Sequence, residues 1–128
     1  MKANILVDTS AWIDYFNKPD SATGNAVEQI LRNGRAVIGG IVLTELLQGA
    51  KIRKEFDAVL EGMVSLPILN PTLNTWVEAG RISFMLRRKG ITIPTTDLII
   101  AVLALENNCM VLTLDSHFQQ IPGIELFK

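Results

Sequence analysis

The stretch "NILVDTSAWI", Asn4 to Ile13, decides how the rest of the chain is read. Ile5, Leu6 and Val7 are apolar without alternation, which is the pattern of a strand covered on both faces. The run breaks off at Asp8, and Thr9, Ser10, Trp12 and Ile13 follow. Two readings of Asp8 are open. It caps the helix that follows, or it belongs to a site at the end of the strand.

Working outward, Ala36–Ile38 and Met110–Leu114 repeat the short apolar run. "VSLPIL" (Val64 to Leu69) and "PGIELF" (Pro122 to Phe127) are fainter strands. Helical spacing fills the gaps. "SATGNAVEQILRNG" puts Val27, Ile30 and Leu31 on one face, with Ser21 as cap and Gly34 as stop. "IVLTELLQGA" is short and closes at Gly49. "RKEFDAVLEGM" aligns Phe56, Val59, Leu60 and Met63. The longest helix is expected from Leu73 to Lys89, capped by Thr72 and stopped by Gly90. A last one begins after Pro94 and reaches Asn107 or Asn108. Strands alternating with helices predict an α/β fold with a mainly parallel sheet and helices on its faces.

The 128 residues predict a single domain spanning 1–128, able to bury a core unaided. With 48% hydrophobic residues the chain is no disordered tail. Twelve basic and thirteen acidic residues leave a net charge of −1, so any nucleic-acid binding needs a local basic patch. Cys109 is the lone cysteine and suits a reducing cytoplasm, where the protein is expected to reside. No signal peptide is read at the N-terminus. The longest apolar run, Leu98 to Leu105, is too short to span a bilayer, so no membrane association is expected.

Ligands of open α/β sheets bind beyond the carboxyl ends of the strands. Four acids are expected there. Asp8 follows the first strand, Asp115 follows "MVLTL", Glu45 lies in the helix after "AVIGG", and Asp97 lies in the first turn after Pro94. Ser10 and Thr113 stand two residues from Asp8 and Asp115, so an extended backbone would put each hydroxyl beside its acid. Each aspartate alone is more commonly a cap or turn residue, and the joint pattern is what points to a site. Glu45, between leucines, needs a partner, and an arginine ion pair is the plain alternative. Four acids at one edge repel, so cations must neutralise them or some pKa values must rise. An all-oxygen set suits Mg²⁺ or Mn²⁺. His117 and Cys109 cannot make a zinc site, and His117 reads as a turn or surface residue able to touch a substrate.

"ILVDTSAWI", "TELLQG", "PTTDLIIAVLA" and "VLTLDSHF", in this order and over nearly the whole chain, resemble the PIN-domain nucleases. More narrowly they resemble the VapC-type ribonuclease toxins of prokaryotic toxin–antitoxin modules. The resemblance implies a three-layer α/β/α fold and an endoribonuclease dependent on Mg²⁺ or Mn²⁺. It makes Asp8, Glu45, Asp97 and Asp115 the metal-binding and catalytic set, supported by Ser10 and Thr113. It also implies a homodimer and a cognate protein antitoxin. One departure is "GG" at Gly39-Gly40, where a polar residue is common. Within that reading Asp8 and Asp97 hold the principal ion, Glu45 orients or deprotonates water, and Asp115 completes the set.

An RNA substrate needs cations to hold it. Lys51, Arg53 and Lys54 form one basic group, and Arg81, Arg87, Arg88 and Lys89 another. Both also suit helix ends. Trp12, Tyr15 and Phe16 suit an interface, and suit a core better. Two competing classes stay open at this point. One is a catalytically silent PIN-like binding module. The other is an α/β phosphatase or phosphotransfer domain, which the sequence "DTS" and the lack of a lysine in "VLTLDSHF" disfavour.

Overall fold

The structure is a computed structural model that describes residues 3–128; Met1 and Lys2, the start of the expected 1–128 unit, lie outside it. The elements run β1 (Ile5–Val7), α1 (Thr9–Asn17), α2 (Ala22–Arg32), β2 (Ala36–Gly39), α3 (Gly40–Gln48), α4 (Arg53–Met63), β3 (Ile68–Leu69), α5 (Leu73–Arg88), α6 (Thr95–Glu106) and β4 (Met110–Leu112). A 3₁₀ turn over Ser116–Gln120 follows.

The four strands pair in the order β3-β2-β1-β4, all parallel. The chain first builds outward on one side of β1, then crosses to the other side to add β4. The order therefore reverses between β1 and β4, where such folds open a crevice at the carboxyl ends. Every residue of β1 and β2 is buried, as helices on both faces require. The order, the parallel pairing and the helical cover agree with the expected PIN-like α/β/α architecture.

α6 is the central helix. Leu98 to Ala104 are buried without interruption, because a helix apolar all round belongs inside. α5 lies beside it and runs the other way. The Thr75 hydroxyl near its start bonds the Glu106 carboxylate at the end of α6, 2.7 Å away. The same hydroxyl accepts the Thr72 backbone N–H, the N3 half of a capping box whose N-cap residue is the expected Thr72. Ser21 caps α2 by accepting from the Gly24 N–H at 2.9 Å.

Four expectations need correction. The run at Val64 to Leu69 pairs only at Ile68–Leu69. "PGIELF" makes a single bridge, Val111 to Leu126, and no strand. Met110–Leu114 ends two residues early, at Leu112, because Thr113 and Leu114 turn away to serve the site. On α4, Met63 is buried but Leu60 is exposed, so its apolar face is narrower than the spacing predicts.

Candidate active site at the carboxyl edge of the sheet

Asp8 lies where β1 gives way to α1. It stands at the N-cap position, yet its side chain makes no capping bond. Its Oδ2 instead accepts two hydroxyls, Thr113 Oγ1 at 2.8 Å and Ser10 Oγ at 3.0 Å. Asp8 is buried, and these hydrogen bonds compensate an ionised group there. Both hydroxyls engage one oxygen, which leaves the other for a cation.

The hydroxyl contacts arise differently from the sequence reading. Ser10 is not extended; it sits in the first turn of α1. Thr113 does not serve the Asp115 carboxylate. Its hydroxyl reaches across the sheet to Asp8 and accepts the Asp115 backbone N–H at 2.9 Å. The Ser10 hydroxyl also accepts the Leu114 N–H at 3.0 Å. The two strand ends are thereby stitched together at the crevice.

Asp97 occupies the first turn of α6, whose cap position belongs to Pro94. Its Oδ2 lies 3.0 Å from His117 Nδ1. The same nitrogen is 2.9 Å from Asp115 Oδ1. Burial above all, and then the negative charges of Asp115 and Asp8, push the Asp97 carboxyl up to about 6, against the pull of the His117 hydrogen bond. The bond to Asp97 raises the His117 imidazole in turn. Asp115 does act as a cap: its carboxylate accepts the His117 backbone N–H at 2.9 Å. That local role leaves its second oxygen for other partners.

Glu45 projects from α3. No arginine pairs with it among the described residues. Its Oε1 accepts the Thr9 hydroxyl at 2.8 Å, so the residue after Asp8 ties Glu45 to the same edge. Ligand atoms of Asp97, Asp115 and His117 lie within 4.8 Å of one another, close enough to share one cation. The donor set fits a divalent ion: an oxygen from Asp97, an oxygen from Asp115 and a nitrogen from His117 converge, and Asp8 stands outside that trio but near enough for its charge to act on Asp97.

The family model of the PIN domain matches residues 5–124. This chain belongs to the PIN-domain family, in its VapC branch. It is 32% identical to Ribonuclease VapC11 of Mycobacterium tuberculosis, covering 94% of this chain and 92% of that protein. Among solved structures, a chain of the DNA-bound VapBC of Salmonella typhimurium superposes with a TM-score of 0.81 and 28% identity, covering 98% of each chain. A chain of VapBC2 from Rickettsia felis, bound to a promoter DNA fragment, gives 0.81 and 26% over 96% of each.

The PIN motifs account for the acids but passed over two residues that the structure brings in. Thr9 was not singled out, though it holds Glu45. His117 is not a mere surface turn residue, since its ring stands between two acids. An Asp-x-His spacing is a usable signal, because a turn capped by the aspartate brings the two side chains together. The aromatic trio divides: Trp12 is fully buried, whereas Phe16 is 44% exposed.

The basic groups flank this edge. α5 and α6 are antiparallel, so Arg87 and Arg88 at the end of α5 lie at the Asp97 end of α6. The Arg88 guanidinium lies 4.0 Å over the Phe84 ring. Lys51 lines a groove between α1, α3 and α4 that also reaches Glu45. Arg53 pairs with Asp57 at 3.0 Å, which leaves Lys51 and Lys54 as the freer charges of that group. Among the described residues no helix is long and apolar enough to cross a membrane.

Proposed function

We propose that this chain is a divalent-metal-dependent endoribonuclease and the toxin of a toxin–antitoxin pair, working as one PIN domain. The observation that carries the reading is Asp8. A capping aspartate would bond backbone N–H groups, whereas this one is buried, held by two hydroxyls and close enough to Asp97 for its charge to act there.

Asp8 and Asp97 would hold the ion, Mg²⁺ or Mn²⁺, with Asp115 completing the set. When bound, it supplies positive charge at the phosphoryl group and makes the attacking water more acidic. Glu45, its carboxylate oriented by Thr9, accepts the proton as water adds to phosphorus and the bond to the leaving oxygen breaks, and the leaving oxygen takes a proton from solvent. Ser10 and Thr113 keep the Asp8 carboxylate fixed. Lys51, Lys54, Arg87 and Arg88 bind RNA phosphates on either side, with Arg53 contributing less.

Two surfaces support the partner reading. The groove of about 630 Å³ is lined by Ile13, Phe16, Leu46, Val59 and Met63 and ends at Glu45. An apolar antitoxin segment lying in it would bring a basic side chain to the acids. On α5, Leu73, Trp76, Val77 and Phe84 stand exposed in a row, an apolar face suited to a second copy. Phe84→Glu should convert the dimer to a monomer in light scattering.

The cellular test is inducible expression in a bacterial host. Wild type should arrest growth, and Asp8→Asn at equal abundance should not. Arrest by both, or by neither, would reject the toxin reading.

A further inference from the structure

We propose that His117 is a direct ligand of the ion, so that the site takes a first-row divalent transition metal such as Mn²⁺ in preference to Mg²⁺. This rests on the metal-dependent reading above and adds to it a nitrogen that the acidic motif set does not contain.

The geometry begins at one atom. His117 Nδ1 lies 3.0 Å from Asp97 Oδ2 and 2.9 Å from Asp115 Oδ1. Ligands about 2.1 Å from an octahedral ion stand about 3.0 Å apart along an edge, the bond length times the square root of two. Both separations match that edge. The nitrogen therefore already stands at the spacing of a neighbouring ligand from each oxygen, and one ligand atom from each of the three residues lies within 4.8 Å of the others. A single ring nitrogen has one hydrogen at most, yet two carboxylate oxygens converge on it. A cation shared among the three satisfies all of them.

The backbone that carries the nitrogen is held in place by hydrogen bonds and packing. The His117 backbone N–H donates to Asp115 Oδ1, and the Asp115 N–H donates to Thr113 Oγ1, each at 2.9 Å. Phe118, fully buried, anchors the turn. Asp115 and His117 thus form a pre-set two-atom clamp, with Asp97 facing it from α6. Mg²⁺ sheds water reluctantly and favours oxygen, whereas first-row transition ions accept imidazole. One nitrogen in an otherwise acidic set is enough to tilt the choice.

His117 is the sole histidine, which makes the test unambiguous. The tag-free full chain is titrated with Mn²⁺ and read by pulsed electron paramagnetic resonance. We expect nuclear modulation from a directly bound imidazole nitrogen, absent in His117→Gln. That variant should also lose at least about tenfold of the Mn²⁺-over-Mg²⁺ preference in calorimetry. Mn²⁺ that binds and is weakened by Asp97→Asn, but shows no nitrogen modulation, would overturn the His117 assignment and leave the acidic site standing. A folded wild-type chain that binds no Mn²⁺ would overturn both.

Discussion

The Thr9 hydroxyl donates to Glu45 Oε1 at 2.8 Å, joining the residue after the first acid to a carboxylate thirty-six positions later. Glu45 is thus held by β1's own turn, and α1 and α3 are pinned at the crevice. Thr9→Val keeps the shape and removes the donor. RNA cleavage should fall about tenfold, with stability lowered by no more than about 1.5 kcal/mol. Thr9→Ser should restore the rate. An unchanged rate in the valine variant would remove Thr9 from the account.

Asp97 sets the pH behaviour. Its carboxyl titrates at about 6 because it is buried near other acids, whereas an unfolded aspartate titrates near the usual 3.8. The folded chain therefore binds the extra proton more tightly. This group's stabilising contribution is fully present below the unfolded value and is lost as pH rises through about 6. Asp97→Asn should then stabilise the metal-free protein at pH 8 by on the order of 1–3 kcal/mol. The advantage should shrink as pH falls and vanish only well below the unfolded value, at about pH 3 and under, where wild type holds the proton in both states. Paired thermal melts in EDTA check both signs. Metal binding needs the ionised acid, so Mn²⁺ affinity should climb between pH 5 and 7 in calorimetry.

Gly24 tests the packing of α1 against α2. A Cβ there would meet the Lys18 and Pro19 carbonyl oxygens at 2.6 Å. These are backbone atoms that cannot swing aside. Gly24→Ala should cost about 1–3 kcal/mol or more, read as a lower melting temperature. A neutral result would mean that the α1–α2 connection gives way easily.

Arg87 and Arg88 end α5 at the same edge as Asp97. Replacing both by Gln should weaken RNA binding across sequences and reduce the salt slope by about one per lost phosphate contact. Fluorescence anisotropy at several salt concentrations separates this from a fold defect. An unchanged slope would assign them to the helix end alone.

Much of this site was legible in residue order because each acid follows a strand or opens a helix, and parallel topology gathers such positions at one edge. Asp8, Asp97 and Asp115 needed only that rule. The hydroxyls were placed beside acids, but by the wrong geometry. Extended backbone pairs i with i+2, whereas Thr113 reaches Asp8 across 105 positions through strand pairing. The turn position of His117 was legible, but its contact with Asp97 was not, because a ring's direction depends on the capped turn beneath it; Thr9 was not legible because its partner lies on another helix. Strand ends were least legible. Thr113 and Leu114 have strand-like composition, yet their hydrogen bonds go to the site, and tertiary contacts override local propensity.

The most direct test of metal-dependent ribonuclease chemistry is cleavage of RNA by the purified chain, with Mn²⁺, with Mg²⁺ and with EDTA, beside Asp8→Asn. Cleavage should require the ion and drop at least about 100-fold in the variant, beyond what loss of an outer partner produces. Equal cleavage by both proteins, or full cleavage in EDTA, would contradict the assignment of Asp8 and of the site built around it.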